Sequence, residues 1–365
     1  MKNTISTGLR FYTGNTHRLA DGKGTTGTEY DMRIEGLYPR DIQFRSNNAA
    51  VFIENIFRVT EKLLIIPGFR YEWLEGAASG INGYSATGAF INLQNITRSR
   101  SFILGGIGSE FHLSNTTELY ANFSQAYRPI QFANLQVPPT TDLIDQDLKD
   151  ASGYNFDLGY RGKLKNYLQF DVSGYYLQYN NRVGTIIPLG ANYRLVTNVG
   201  ASTSKGLETY IEFNPIRAFS NSMHTDFILF SSYSYTDARY SGNHQDASTK
   251  GKKVENAPQD ILRTGLSFGY KGFLFTTQLS HVGASFSDAN NTNTPSMNGN
   301  TGIIPSYSII DLTASYKYSK KIILKAGINN LNDTRYFTRR AGGYPGPGAL
   351  PADGQNFFVS IGAKF

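Results

Sequence analysis

The feature of this sequence that most constrains its fold is a period-two alternation of apolar and polar residues, repeated along most of the chain. In the segments 154–161, 168–176 and 306–319, aromatic and aliphatic side chains alternate with polar ones. Successive side chains of a β-strand point to opposite faces, so the alternation predicts strands with one apolar and one polar face. We find no helical period longer than two turns, and the sequence therefore predicts an all-β protein.

The alternation predicts about fourteen strands, many of them longer than the five to six residues usual in globular sheets. The predicted strands are 4–13, 47–59, 63–74, 99–113, 117–128, 152–162, 166–180, 194–214, 222–239, 260–271, 273–286, 306–319, 321–336 and 355–365. A strand of about 9–11 residues is long enough to cross the hydrocarbon core of a membrane. The predicted strands therefore have the length of membrane-spanning strands.

The connections between these strands alternate in length. Short turns are predicted near 60–62, 114–116, 163–165, 215–221, 272 and 320, and long loops near 14–46, 75–98, 129–151, 181–193, 240–259, 287–305 and 337–354. Short periplasmic turns and longer extracellular loops are typical of bacterial outer-membrane barrels. We therefore favour an antiparallel transmembrane β-barrel whose long loops face outward.

Composition narrows the alternatives. Aromatic residues make up 13% of the chain and charged residues 17%, and cysteine is absent. A helical membrane protein needs about 20 consecutive apolar residues, whereas the longest apolar run here is 63–66. The remaining rival fold is a soluble β-sandwich, in which the apolar faces of strands such as 154–161 and 168–176 would pack between two sheets.

The last predicted strand has a distinctive apolar face. Its alternating residues are Phe357, Val359, Ile361, Ala363 and Phe365, and the sequence ends on that phenylalanine. This strand resembles the C-terminal signature of bacterial outer-membrane proteins, which the barrel-assembly machinery reads. The resemblance implies that these five residues form an assembly signal.

Several motifs together resemble the TonB-dependent outer-membrane receptors. They are AVFIENIFRVTEKL at 50–63 with PGFRYE at 67–72, ELYANFSQAYRP at 118–129 and GINNLNDTRY at 327–336. The segments 336–340, 343–348 and 353–354 are similar to the ferric-citrate (FecA-type) branch of that family. The resemblance implies uptake of a ferric chelate such as ferric dicitrate, energised through TonB, with iron only as part of the cargo and no resident cofactor.

Members of that family resemble a 22-stranded barrel filled by an N-terminal plug, whereas this sequence has about fourteen predicted strands and neither a plug-like segment nor a signal peptide. We therefore expect residues 1–365 to be the C-terminal portion of a receptor barrel in the outer membrane of a Gram-negative bacterium. TonB would then contact a plug region outside this sequence. The alternative is a self-contained fourteen-stranded barrel that acts as a passive pore.

Candidate ligand-binding residues lie in or near the predicted outward loops. The chain carries a net charge of +7 but no block of five Lys or Arg, which favours small anions or lipopolysaccharide over nucleic acid. Guanidinium groups bind carboxylates bidentately and suit a polyanionic ferric chelate. The predicted substrate-binding residues are Arg128, Gln131, Asn134, Arg182, Arg194, Arg339, Arg340 and Tyr344.

Sequence patterns of catalysis and metal binding are missing. We find no nucleophile-elbow motif and no catalytic carboxylate pair, so the sequence predicts that the protein is not an enzyme. Histidines are scattered at positions 17, 112, 224, 244 and 281, none at the spacing of a helical metal site. The sequence therefore predicts no protein-built metal site.

Overall fold

The computed structural model describes residues 3–26, 33–85, 87–130, 142–186, 194–220, 225–241, 249–341 and 348–364. Its strands are β1 (Asn3–Ala20), β2 (Arg40–Arg58), β3 (Leu63–Tyr84), β4 (Phe90–His112), β5 (Thr117–Arg128), β6 (Asp142–Ile144), β7 (Ala151–Leu164), β8 (Leu168–Ile186), β9 (Arg194–Phe213), β10 (Thr225–Ser241), β11 (Asp260–Tyr270), β12 (Phe273–Val282), β13 (Ser285–Phe286), β14 (Ile303–Ile304), β15 (Tyr307–Lys317), β16 (Ile322–Asn329), β17 (Phe337–Ala341), β18 (Gly348–Pro351) and β19 (Asn356–Ala363). A single helix, α1 (Pro215–Phe219), joins β9 to β10 in the described chain.

Fifteen of these strands form one sheet. Fourteen follow each other in the order β1-β2-β3-β4-β5-β7-β8-β9-β10-β11-β12-β15-β16-β19, and β6 pairs in parallel with β9. Sequence neighbours pair as antiparallel strands, for example β11 with β12 from Ile261↔Val282 to Tyr270↔Phe273. The predicted set of about fourteen antiparallel strands is therefore confirmed.

The prediction of long loops near 14–46 and 75–98 is wrong over much of both ranges. The pairing of β1 with β2 runs on to Ala20↔Arg40, and that of β2 with β3 reaches Arg40↔Asn82. In the extensions of β1 and β3 most residues are small or polar, so the alternation is weak there, although Ile42 and Phe44 retain it in β2. Backbone hydrogen bonding between strands does not depend on the side chains and continues there.

The predicted loops 287–305 and 337–354 also contain regular structure. Strand β14 lies in the first loop and pairs with β13, which directly precedes that loop, and β17 pairs with β18 in the second. In the predicted turn 215–221, the side chain of Asn214 caps helix α1 by accepting a hydrogen bond from the amide of Arg217 at 3.0 Å. None of the described helical structure is long and apolar enough to span a membrane.

The apolar faces of the strands are exposed to the surroundings of the protein. Phe156, Leu158 and Val172 expose 45%, 53% and 42% of their surface, and Val359 in β19 exposes 80%. A sandwich would bury such side chains between its sheets, so the sandwich alternative is wrong. Polar side chains on the opposite faces form hydrogen bonds between neighbouring strands. The side-chain amide of Asn122 in β5, for example, donates to Asp157 in β7 at 3.3 Å.

The chain divides into two compact units, and several strands contribute residues to both. The first comprises Met1–Gly108, Phe123–Tyr154 and Tyr179–Ala201, and the second comprises Ser109–Asn122, Asn155–Gln178 and Ser202–Phe365. The first unit contains two small apolar clusters, one around Ile42 and one around Val196.

We predict that Gly80→Ala destabilises the first unit. Gly80 has a φ of +129°, and a Cβ atom built on it would lie 2.1 Å from the carbonyl oxygen of Asp41. We expect the free energy of unfolding to fall by about 1–3 kcal/mol, as judged by heat-dependent electrophoretic mobility in detergent. Gly24→Ala is the matched control, because a Cβ there meets nothing within 4 Å. Equal stability of the two variants would contradict the prediction.

Candidate functional site

The structure distributes the predicted ligand-binding residues over both units. Arg128 ends β5, Arg182 lies in β8 and Arg194 begins β9, all within the first unit. Arg339 and Arg340 lie in β17 of the second unit. The following lie outside the described residues: Gln131, Asn134, Tyr344 and the side chain of Arg194. The assignment of these residues to ligand binding stays a prediction.

In the first unit a single carboxylate organises the surroundings of Arg128. Asp150 receives hydrogen bonds from the guanidinium Nε of Arg100 at 2.7 Å, from the amide of Ile130 at 2.7 Å and from the hydroxyl of Tyr127. Asp150 and Arg100 are largely buried, with 15% and 18% of their side chains exposed. The pair thus joins β4 to the end of β5 and fixes the backbone just after Arg128.

The segment 142–150 is held against β9 by a second carboxylate. The amide of Asp145 donates to the carbonyl of Val196 at 2.9 Å, and Thr197, which is 1% exposed, donates its hydroxyl to the Asp145 carboxylate. The hydrogen bond from Thr197, followed by one from the amide of Asp147, holds the pKa of Asp145 below its ordinary value. The ionised carboxylate of Asp145 therefore holds the segment 142–150 against β9.

Asn198 ties the same segment to β8. Its side chain accepts from the amide of Lys149 at 2.7 Å and donates to the carbonyls of Lys149 and Asn181 at 2.8 and 2.9 Å. Asn181 adopts a positive φ of 54° directly before Arg182. The guanidinium of Arg182 lies 5.6 Å from the ring centroid of Tyr179. Arg182 thus projects from a backbone that is fixed by hydrogen bonds.

Sequence reasoning missed Asp150, Asp145 and Asn198. The sequence predicted a long loop over 129–151, yet its described C-terminal part packs onto the strands through Leu148, which is 5% exposed. A buried leucine followed shortly by an aspartate is too common a pattern to have indicated this arrangement.

In the second unit the two neighbouring arginines have different surroundings. The guanidinium of Arg340 donates to the carbonyl of Gly299 at 2.8 Å and to that of Ile303 at 3.0 and 3.2 Å, and it lies 4.8 Å over the ring of Phe337. Arg339 points to the opposite face of the strand and is exposed, and within the described residues its guanidinium makes no hydrogen bond or ion pair. Arg339 is therefore the better placed of the two to meet an anion.

The polar face of the second unit contains two cavities of about 540 and 330 Å³ that share lining residues. Asp171 and Tyr210 line both, and Tyr120 donates its hydroxyl to Asp171 at 2.9 Å. Arg161 lines the larger cavity and donates to Glu118 at 2.6 Å. This face can therefore hold polar or charged groups, and Arg161 and Glu118 on it already form an ion pair.

Comparison with known proteins gives a consistent family. The sequence model described as "TonB dependent receptor-like, beta-barrel" matches residues 2–331. The ferric-pyoverdine 358 receptor of Pseudomonas putida is 20% identical over 352 residues, which cover 92% of this chain and 39% of the relative. The ferrioxamine B receptor of Salmonella typhimurium (strain SL1344) is 26% identical over 227 residues, or 60% of this chain and 28% of the relative.

Among solved structures, the ferric citrate transporter FecA in its unliganded form is similar to this chain with a TM-score of 0.76 and 18% sequence identity. The alignment covers 100% of this chain and 51% of the transporter. At this identity the likeness concerns the fold alone. The chain spans about half the length of that structure and well under half of the curated relatives.

We predict that Asp150→Asn loosens the described part of loop 129–151. The substitution leaves the largely buried guanidinium of Arg100 without its counter-charge, at a cost of about 3 kcal/mol. We expect faster cleavage by protease within 142–150, followed by mass spectrometry. Asp147→Asn is the control, because Asp147 is an exposed residue of the same segment. Equal cleavage rates in both variants would contradict a structural role for Asp150.

Proposed function

This chain belongs to the TonB-dependent receptor-like β-barrel family, and we propose that it supplies barrel wall to an outer-membrane receptor that takes up a ferric chelate. Members of the family are transport receptors of the Gram-negative outer membrane. The family resemblance of the motifs at 50–72, 118–129 and 327–336 is therefore confirmed, and so is the prediction that the chain is not an enzyme.

The observation that carries the proposal is the exposed apolar face of the strands. Side chains such as Leu9, Ile103 and Leu158 expose 70%, 68% and 53% of their surface. Contiguous apolar surface of this kind is unfavourable in water and favourable against lipid. This face supports placing the chain in the outer membrane, with lipid and, at the outer leaflet, lipopolysaccharide around it.

Ferric siderophores are the ligand class that the proposal assigns. The curated relatives are named for ferric pyoverdine and ferrioxamine B, and one similar structure for ferric citrate. Within this class we propose ferric dicitrate or a related anionic chelate, because the candidate site residues include arginines. Arg339 would bind a carboxylate directly, while Arg340 would hold the loop segment 299–303 beneath it. Iron enters this scheme as cargo.

The partners follow from the same proposal. TonB would act through a plug region. The family model that matches this chain describes the barrel. The barrel-assembly machinery would recognise β19, where Phe357, Val359 and Ile361 expose 69%, 80% and 71% of their surface. Ala363 continues this face, and Phe365 lies outside the described residues.

We predict that Arg339→Ala weakens binding of ferric dicitrate about tenfold, because one charge-assisted hydrogen bond is worth roughly 1.5–3 kcal/mol. The affinity is measured by titrating ferric dicitrate, at low salt, into the purified protein in detergent. The protein is used with its whole natural chain. Arg335→Ala is the charge-matched control, since Arg335 is paired with Asp333 at 3.2 Å. Its affinity should stay within about twofold of the unmodified protein.

Two outcomes would count against the proposed function. Unchanged affinity of Arg339→Ala at low salt would remove Arg339 from the site. A stable, large conductance of this chain in planar bilayers, without any ligand, would favour the passive pore instead.

A further inference from the structure

Three side chains with metal-ligating atoms meet beside the turn that joins β4 to β5. Glu110 and His112 lie two residues apart in β4 and therefore on one face of it, and Glu118 lies in β5. The tight turn between the strands is closed by the amide of Leu113 donating to the carbonyl of Thr117 at 3.0 Å. One ligand atom from each of the three side chains lies within 4.8 Å of the others.

The spacing of these atoms is close to what a metal ion requires. The Nδ1 atom of His112 lies 3.0 Å from the Oε2 atom of Glu118. Around a tetrahedral zinc ion with bonds of about 2.0–2.1 Å, neighbouring ligand atoms lie about 3.3 Å apart. Small side-chain rotations are therefore sufficient to place an ion between them. The two side chains are 37% and 19% exposed, so an ion has access from solvent.

A cationic group already occupies the position between the two carboxylates. The Nε atom of Arg161 lies 2.6 Å from Glu118, and its Nη2 atom lies 3.5 Å from Glu110. With two carboxylates and one guanidinium, the cluster keeps a net charge of about −1 when the imidazole is neutral. The arrangement therefore attracts positive charge, and any metal ion must compete with Arg161.

The side chain of Arg161 lies beside a cavity into which it can move. Its guanidinium lies 4.8 Å from the ring centroid of Tyr120, and the hydroxyl of Tyr120 is bonded to Asp171 at 2.9 Å. The cavity of about 540 Å³ is lined by His112, Glu118, Arg161 and Asp171, so the side chain can swing within it toward Asp171. Pairing with Asp171 would compensate for the lost contact with Glu118.

We propose that Glu110, His112 and Glu118 form a binding site for a divalent transition-metal ion, which enters by displacing Arg161. One imidazole nitrogen and two carboxylate oxygens suit Zn²⁺, Ni²⁺ or Cu²⁺, and a fourth position is left for water. Within the described part of the chain, this is the one cluster of three such residues. The proposal is independent of ferric-chelate uptake, because none of its residues belongs to the predicted ligand site.

The test is a calorimetric titration of Zn²⁺ into the full chain in detergent, with any affinity tag removed and resident metal stripped by chelator. We expect one equivalent to bind. His112→Gln should weaken binding at least about tenfold, because it removes the nitrogen ligand. His17→Gln is the matched control: His17 pairs with the single carboxylate of Asp41 at 2.7 Å, and its loss should leave the affinity within about twofold.

Variants of Arg161 test the competition directly. Arg161→Gln removes the competing charge and should tighten Zn²⁺ binding about tenfold, whereas Arg161→Lys keeps the charge and should stay near the original affinity.

Cu²⁺ bound to the protein should show nitrogen hyperfine coupling in its electron paramagnetic resonance spectrum, and His112→Gln should abolish it. Binding that does not depend on His112, or that Arg161→Gln fails to tighten, would overturn the proposal. Each variant is first checked for native heat-dependent electrophoretic mobility.

Discussion

Pairing of backbone amides and carbonyls between neighbouring strands is the interaction on which the rest of this structure depends. Lipid offers no hydrogen-bonding partner, so a spanning strand must satisfy its backbone entirely from its neighbours. Strand β2 illustrates this, because it pairs with β1 from Arg40 to Phe57 on one side and with β3 from Arg40 to Arg58 on the other. Once the backbone is satisfied in this way, the side chains are free to divide between an apolar and a polar face.

Ion pairs and charge-assisted hydrogen bonds connect the strands on the polar face, beside the small apolar clusters of the first unit. In the first unit, Asp150 gathers Arg100 and Tyr127 around one carboxylate. In the second unit, Glu118 and Arg161 form a comparable pair beside His112. A buried or half-buried carboxylate needs such partners. The same requirement places ligating atoms close together, and the proposed metal site arises from that.

The sequence predicted some elements closely and missed others, for identifiable reasons. Strand β5 begins and ends where the alternation predicted, because its apolar and polar faces have different surroundings. The extension of β1 to Ala20 was missed, because every residue of 14–20 except Leu19 is polar or small. The ligand-binding role of Arg340 stays a prediction, but the sequence did not indicate that its guanidinium donates to Gly299, which is 41 residues away in the chain. Local patterns contain no information about contacts at that separation.

By itself, the sequence determined the fourteen consecutive strands of the main sheet, their two-faced character and the family, because alternation and motifs are properties of adjacent residues. The tertiary structure alone decided which charges meet: Asp150 with Arg100, and Glu118 with both His112 and Arg161. Contact across strands depends on register, which turns and backbone pairing fix only when the sheet assembles. The histidines therefore seemed scattered along the chain, although folding places the imidazole of His112 close to the carboxylates of Glu110 and Glu118.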